Sequence, residues 1–358
     1  MKIKKIFFFL IAVQVFFVYS EDLYKVKYNN KYGFINTQKD IVIEPQYDYA
    51  ENFFSGNAIV VTEKSNQKFY NIINVNNKIV DENLKDCSRL CRALGNIFYN
   101  SFEGYFYDID KRKRIELDKY AVPFFYNNNQ KYYSPCTNYD LNRIEYVDGN
   151  FKTIFSCYNV LKAFAMTDNM AFVIKKDWSQ AIINNKGEEI IADVFDSGMN
   201  SSEGLLAVET DKESGYINNK GKFVFHCCFE PNNHDFSPPG LNYPFSEGVA
   251  AVQVRRGVFR IYDKKGNIIL NEKAVLDMKP CSDGFILYQT FDNKYGFLKK
   301  DGRNAFYTEF DYAEPFYNGF TIIGYEGNDA ILDKLGNIFL SKDLIEEKKK
   351  VFINVSNK

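Results

Sequence analysis

The stretch Tyr32–Gly56, YGFINTQKDIVIEPQYDYAENFFSG, returns near the C-terminus as Tyr295–Gly319, YGFLKKDGRNAFYTEFDYAEPFYNG. Weaker copies lie between them. A period of tens of residues marks one supersecondary unit used many times, because a single unit cannot bury its apolar face alone. The clearest element is a hairpin turn: an apolar run, Asn or Asp, two mostly polar residues, Gly, then a second apolar run. The last turn residue recurs at Lys39, Asn77, Lys113, Gly149, Gly187, Gly221, Gly266, Gly302 and Gly336. Three residues earlier stand Asn36, Asn74, Asp110, Asn184, Asn218, Asp263 and Asp333, with Tyr146 and Lys299 departing. An Asn or Asp oxygen accepts from the backbone two residues on, and Gly supplies positive φ without a Cβ penalty. Lys39 and Lys113 lack that freedom, so their turns are expected to differ.

A second marker lies 17 or 18 residues later in most copies. It is a polar residue, Gly and an alternating apolar run: FSGNAIVV at Gly56, SEGLLAVE at Gly204, FSEGVAAVQV at Gly248, CSDGFILY at Gly284 and YNGFTIIG at Gly319. Such alternation reads as a half-buried strand. Each unit then holds three or four antiparallel strands. With 17% aromatic residues and 9 Pro among 358 residues, the chain is expected to be all-β.

These residues resemble the WG-repeat (KWG-like) family. The resemblance rests on Tyr32-Gly33-Phe34-Ile35-Asn36, Ile43-Glu44-Pro45-Gln46-Tyr47-Asp48 and Phe245-Ser246-Glu247-Gly248-Val249-Ala250-Ala251-Val252. It covers roughly residues 22–340 and is weak from about 83 to 180. Tyr32 and Tyr295 take the position of the name-giving Trp. The resemblance implies tandem repeats and binding, and no defined reaction.

The chain begins with the tail of a unit, Leu23–Tyr28 aligning with Leu205–Thr210, and ends with a head at Gly336. A closed ring uses that phase to zip its first strand onto its last blade. The expected fold is nine tandem antiparallel β units of about 36 residues in a propeller-like toroid. The alternative is an open twisted β-solenoid or array, since propellers usually have about four to eight blades. The expected organisation is a signal peptide over 1–20, a repeat domain over 21–340 with an insertion at 229–244, and a tail over 341–358.

Lys2, Lys4 and Lys5 precede an apolar run, Ile6–Val18, and Val18-Tyr19-Ser20 offers small residues before Glu21. This is a signal-peptide pattern. The run is shorter than the roughly 20 residues a spanning helix needs. The mature chain is expected to be exported to the periplasm, surface or medium, and not to span a membrane. Seven Cys at no fixed repeat position form no disulfide framework. Most read as buried apolar residues, with Cys87 and Cys91 as the local pair to watch.

A net charge of −1 gives no pull toward nucleic acid. Lys111-Arg112-Lys113-Arg114, the compact basic run, coincides with a turn and reads as a solvated tip. His226, Cys227, Cys228 and His234 are zinc-type ligands, but vicinal Cys and no Cys-x2-Cys pair argue against a metal site. No nucleophile elbow, phosphate loop or His-Glu-x-x-His is present. No catalytic residue, cofactor or metal is therefore assigned. The insertion departs from the repeat, so His234, Phe236 and Tyr243 are ligand-contact candidates, together with Trp178. The function expected is a secreted, non-catalytic scaffold that recognises a protein or peptide partner through loops on one repeat face. The alternatives are a carbohydrate or cell-envelope binder and an enzyme with a site of no recognised pattern.

Overall fold

A computed structural model describes residues 23–94, 96–116, 133–138, 141–148, 150–192, 197–198, 201–209, 213–227 and 244–346. It contains nine antiparallel sheets of three or four strands, spanning in chain order 24–47, 49–74, 91–116, 134–157, 160–192, 197–226, 249–274, 277–299 and 312–340. In each, every strand pairs with its neighbour in sequence. Sheet nine has the full pattern: a short lead strand Tyr312–Ala313, then Phe320–Tyr325, Asn328–Asp333 and Ile338–Leu340.

Successive residues of a strand point to opposite faces. Both faces are buried here, each against a different sheet. The two residues before the turn divide this work in the same order around the molecule. In Phe34/Ile35, Ile72/Ile73, Ile182/Ile183, Tyr216/Ile217, Ile261/Tyr262 and Phe297/Leu298, the first residue packs on the following sheet and the second on the preceding one. Sheets three and four meet through Phe106 and Phe151, whose rings lie 4.8 Å apart. Ile331 of sheet nine, at the position that faces the following sheet, packs on Tyr24, Val26, Ile35 and Ile41 of sheet one. The ninth sheet therefore treats the first as its successor, and the units form a propeller-like ring.

Closure uses side chains. Tyr24–Tyr28 belongs to sheet one, paired with Lys31–Ile35, so the expectation that it zips onto the last blade does not hold. The seam instead carries Tyr24 against Phe320, ring centroids 4.7 Å apart, and the ion pairs Lys25–Glu314 at 2.9 Å and Lys27–Asp329 at 3.4 Å. A helix over 341–346 adds Leu344 and Ile345 to the same cluster.

The turns follow the expected chemistry. The Asp263 carboxylate accepts from Lys265 and Asn267 N–H, both at 2.8 Å, while Gly266 N–H donates to Asp263 C=O at 3.0 Å with φ of +86°. Lys39 adopts φ of +70° in the same role, so the expectation that its turn would differ does not hold. Two copies sit elsewhere than the sequence pattern placed them. In sheet three Arg112, not Lys113, takes positive φ, and Asp108 accepts from Lys111 N–H. In sheet four the turn runs from Asp148 to Phe151, two residues past Tyr146 and Gly149.

The Gly of the Tyr-Gly pair answers to a close approach. A Cβ on Gly33 would lie 2.3 Å from Ile43 C=O, where the pairing with the fourth strand shifts register. Gly215 faces Phe225 C=O in the same way. Gly33→Ala should therefore destabilise by about 1–3 kcal/mol through overpacking. The check is a melting temperature a few degrees lower, with Gly104→Ala, where a Cβ meets nothing within 4 Å, as comparison for φ strain alone.

Candidate functional site

In an antiparallel four-stranded sheet, the loops alternate between the two ends. One face of the ring carries the loops after the lead strand and the turns between third and fourth strands. The other carries the hairpins between second and third strands and the crossovers to the next sheet.

The first face is occupied by inter-sheet staples. Thr167 Oγ1 donates to Ser201 C=O, Ser202 Oγ to Phe245 C=O, Ser246 Oγ to Cys281 C=O and Ser282 Oγ to Phe316 C=O, at 2.6–2.7 Å. The next residue adds a second bond. The Asp168, Glu203, Glu247 and Asp283 carboxylates accept from the N–H of Gly204, Gly248, Gly284 and Gly319 of the following sheet. Lys264, Lys300 and Lys334, each next after the first turn residue, pair with Glu203, Glu247 and Asp283. The Ser-Glu-Gly motif is thus a joint between units. At about 0.5–1.5 kcal/mol per hydrogen bond against about 1.5–3 for each buried large apolar side chain, packing drives closure and the staples fix register. Ser282→Ala should lower stability by about 1 kcal/mol, read as a denaturant midpoint shift at unchanged slope.

The hairpin face is different. Phe102, Trp178 and Phe291 stand on hairpin tips in sheets three, five and eight, 74%, 74% and 61% exposed. Leu141 holds the tip in sheet four, and Tyr158 and Leu276 lie in crossovers, all exposed. Tyr49, exposed, begins a lead strand leaving this face. On the opposite face Leu335 stands exposed on a turn, and Ile154 and Ile268 are exposed on fourth strands just beyond turns. Tyr307 lies beyond both, on the outer edge of sheet eight, between the bridges at Asn304 and Phe310.

The tips are held from below. Asp48 pairs with Lys31 at 2.5 Å and accepts from Glu63 N–H, and Asp311, at the same repeat position, pairs with Lys294 at 2.5 Å and accepts from Gly327 N–H. The bond from Lys31 holds the Asp48 carboxyl below its ordinary value, and the bond from Lys294 does the same for Asp311. Such a group takes up its proton at lower pH folded than unfolded. Its contribution is present above the ordinary value near pH 4 and is lost as pH falls through the folded value. Asp48→Asn with Asp311→Asn should flatten the acid limb of hairpin-face hydrogen exchange between about pH 5 and 3, measured against the parent chain.

Of the residues singled out from sequence, Trp178 lies on this face with φ of +70°, its N–H donating to Lys175 C=O at 3.0 Å. His234, Phe236 and Tyr243 lie outside the described residues, as does the insertion apart from Pro244. Lys111–Arg114 falls at the turn of the opposite face, where Lys111 pairs with Asp108 at 2.9 Å, and Arg114 pairs with Glu103 and lies 3.8 Å from the Tyr105 ring centre. His226 Nδ1 is 3.2 Å from Glu213. Cys87 and Cys91 are free thiols, and burial pushes the Cys136, Cys157 and Cys281 thiols up to about 12, 11 and 12. Phe102, Phe291 and Tyr158 were not found from sequence. For Phe102 and Phe291 the signal was an apolar residue inside a predicted hairpin tip, where turn chemistry asks for a polar one.

Beside the seam, a cleft of about 20 Å³ is lined by Tyr24, Lys25, Asn52, Glu314, Tyr317 and Phe320. It has room for about one water. Lys25 and the Tyr312 hydroxyl, 2.7 Å away, satisfy Glu314. Burial pushes the Glu51 carboxyl up and the Arg92 guanidinium down. The geometry is that of a desolvated ion-pair cluster at a subunit-like joint.

Nine stapled antiparallel sheets around one ring define a tandem-repeat β-protein of propeller type. Three stretches, 32–64, 182–213 and 295–328, match the WG containing repeat. These matches agree with the repeat read from the sequence. Among solved structures it is similar to a eukaryotic initiation factor, with a TM-score of 0.56 and 11% identity over 89% of this chain and 95% of that one. BamB from Moraxella catarrhalis is a more distant likeness, with a TM-score of 0.39 and 9% identity over 70% and 83%. No curated protein matches the sequence. No helix among the described residues is long and apolar enough to cross a membrane.

Proposed function

We propose that this is an exported, non-catalytic scaffold that holds a protein partner on the hairpin face of its ring. The observation that carries the reading is the asymmetry between the faces. The hairpin face presents Phe102, Leu141, Trp178 and Phe291 on four tips, while the other commits its polar residues to staples. Protruding aromatic side chains are the anchors that dominate protein interfaces. Sheets three, four and five are consecutive, so Phe102, Leu141 and Trp178 form one arc.

The makeup of the arc favours a protein over a sugar. Stacking on sugars calls for Tyr or Trp recurring at one position. Here Phe, Leu and Trp share the tips, and Tyr158 spends its hydroxyl on Arg143 at 2.9 Å. Export is supported by the Lys2–Ser20 pattern.

The test is proximity labelling in the native cell, with the parent chain and with Phe102, Trp178 and Phe291 all changed to Ser. The triple variant should lose the reproducible neighbours of the parent, and Leu335→Ser on the opposite face should keep them. Neighbours unchanged in the triple variant would reject this face. Binding on a glycan array that the same three changes abolish would transfer the face to the carbohydrate reading.

A further inference from the structure

The chain contains one Asn-Gly pair, Asn318-Gly319, and the fold sets it on the staple face beside the seam. The pair forms the tip between the lead and second strands of sheet nine. Tyr317 N–H donates to Phe320 C=O at 2.9 Å, and Phe320 N–H to Tyr317 C=O at 3.2 Å. Both tip residues take positive φ, +47° and +98°, the backbone of a type I′ turn, for which Asn-Gly is a favoured pair. The turn does not demand Asn, however. Ser55, Glu203, Glu247 and Asp283 hold the same position before a Gly, with φ between +50° and +59°. In sheets six, seven and eight the residue is an acid that meets a lysine of the following sheet: Glu203 with Lys264, Glu247 with Lys300 and Asp283 with Lys334. The sheet following nine is sheet one, which carries Thr37 at the lysine position. A neutral amide stands where an acid would lack that cation.

Asn before Gly is also a labile pair. The peptide nitrogen that follows Asn attacks its side-chain carbonyl, and Gly has no Cβ to hinder the approach. We propose that Asn318 is a self-modification site, that the bond from Gly319 N–H to the Asp283 carboxylate holds it in check, and that its conversion releases a clasp at Tyr317. In the first step Gly319 N bonds to Asn318 Cγ, the Cγ–Nδ2 bond breaks, and the peptide proton leaves with that nitrogen as ammonia. Water then opens the cyclic imide. Breaking the bond between Gly319 N and Cγ gives Asp, and breaking the bond to the main-chain carbonyl carbon gives isoaspartate. Water is consumed, ammonia is released, and nothing is oxidised or reduced.

The attacking atom is committed in the fold. Gly319 N–H donates to Asp283, which is held in turn by Lys334. A carboxylate opposite this N–H disfavours loss of its proton, because the resulting anion would face a like charge. The two bonds between Tyr317 and Phe320 fix the backbone of the tip as well. Asn318 itself is exposed, so water reaches the imide once it forms. The slow step is therefore opening of the joint between sheets eight and nine. The consequence extends to sheet two. Isoaspartate adds a main-chain carbon to the tip, and the bond pair at Tyr317 and Phe320 does not survive that change in length. Tyr317 is the clasp: its hydroxyl reaches past sheet one and donates to Phe53 C=O of sheet two at 2.8 Å.

Peptide mapping that resolves Asn, Asp and isoaspartate at position 318 tests the proposal, on the full chain held at mildly alkaline pH beside the free peptide 315–321. The folded chain should convert at least about tenfold slower than the peptide, and Asp283→Ala should raise the folded rate about tenfold. Asp283→Glu should keep it slow, since Glu fills this position in sheets six and seven. Glu247→Ala, which opens the joint one sheet earlier, should leave it near the parent rate. The isoaspartyl form, separated by charge, should melt below the parent chain. Conversion of the folded parent at the rate of the free peptide overturns the restraint, whether or not the alanine variant folds. A rate that Asp283→Ala leaves unchanged overturns it as well. A rate that Asp283→Ala lowers makes the carboxylate the base that takes the Gly319 proton, and equally overturns it. Equal melting of the isoaspartyl form overturns the release of the clasp.

Discussion

Every sheet in this protein is buried on both faces, and the whole architecture follows from that demand. A strand can satisfy two faces only by sending alternate residues to two neighbours. An array built this way has a problem at its ends, where one face of each terminal sheet has no neighbour. Open repeat arrays meet it with polar capping units. Here neither terminal sheet is polar on its outer face: Ile35 and Ile331 are 0% and 1% exposed because they cover each other. Ring closure is the consequence of identical units carried to the last copy without a cap.

Hydrophobic packing of this kind is strong and poorly directional. Nine similar interfaces could slide or pair out of order. The staples restrain that. Glu247 accepts from both Asp283 and Gly284 N–H, at 2.6 and 2.8 Å, which a one-residue slip would not permit. The staples run from sheet five to sheet nine. Between sheets two and three, where the motif is absent, Arg92 does comparable work: it donates to Asn57 C=O at 3.0 Å and lies over the Phe54 and Phe98 rings.

Much of this was legible in the residues, for physical reasons. Asn218, Asp263 and Gly266 announce their turns because the turn depends on local chemistry alone. The count of nine followed from those turns. The errors came where local chemistry had substitutes. Asp148 with Phe151 at φ of +60° builds a turn that a search for Gly149 misplaces by two residues. Which strand closes the ring was not legible, since Tyr24–Tyr28 carries the same alternation whether it pairs with Lys31–Ile35 or elsewhere. The roles of Ser246 and Glu247 were visible only as a motif. Their partners, Cys281 and the Asp283–Gly284 amides, lie about one period away, and a period alone does not say that side chains reach across it.

The two faces also differ in what a substitution can reach. On the staple face a change at Glu247 or Asp283 disturbs the joint between sheets, so that face has little freedom to acquire a ligand. Among the described residues the hairpin tips carry few bonds to neighbouring sheets, Lys176 reaching Asn142 at 3.1 Å and Lys27 pairing with Asp329 at 3.4 Å. Their side chains can vary without cost to the ring, and they do: Asn30, Asn66, Phe102, Leu141, Trp178, Arg256, Phe291 and Glu326 occupy comparable tips. Beneath them Asp48 and Asp311 anchor crossovers to hairpins in the folded chain. A rigid base with freely variable tips is the division that lets a repeat protein hold one fold while presenting a face particular to itself.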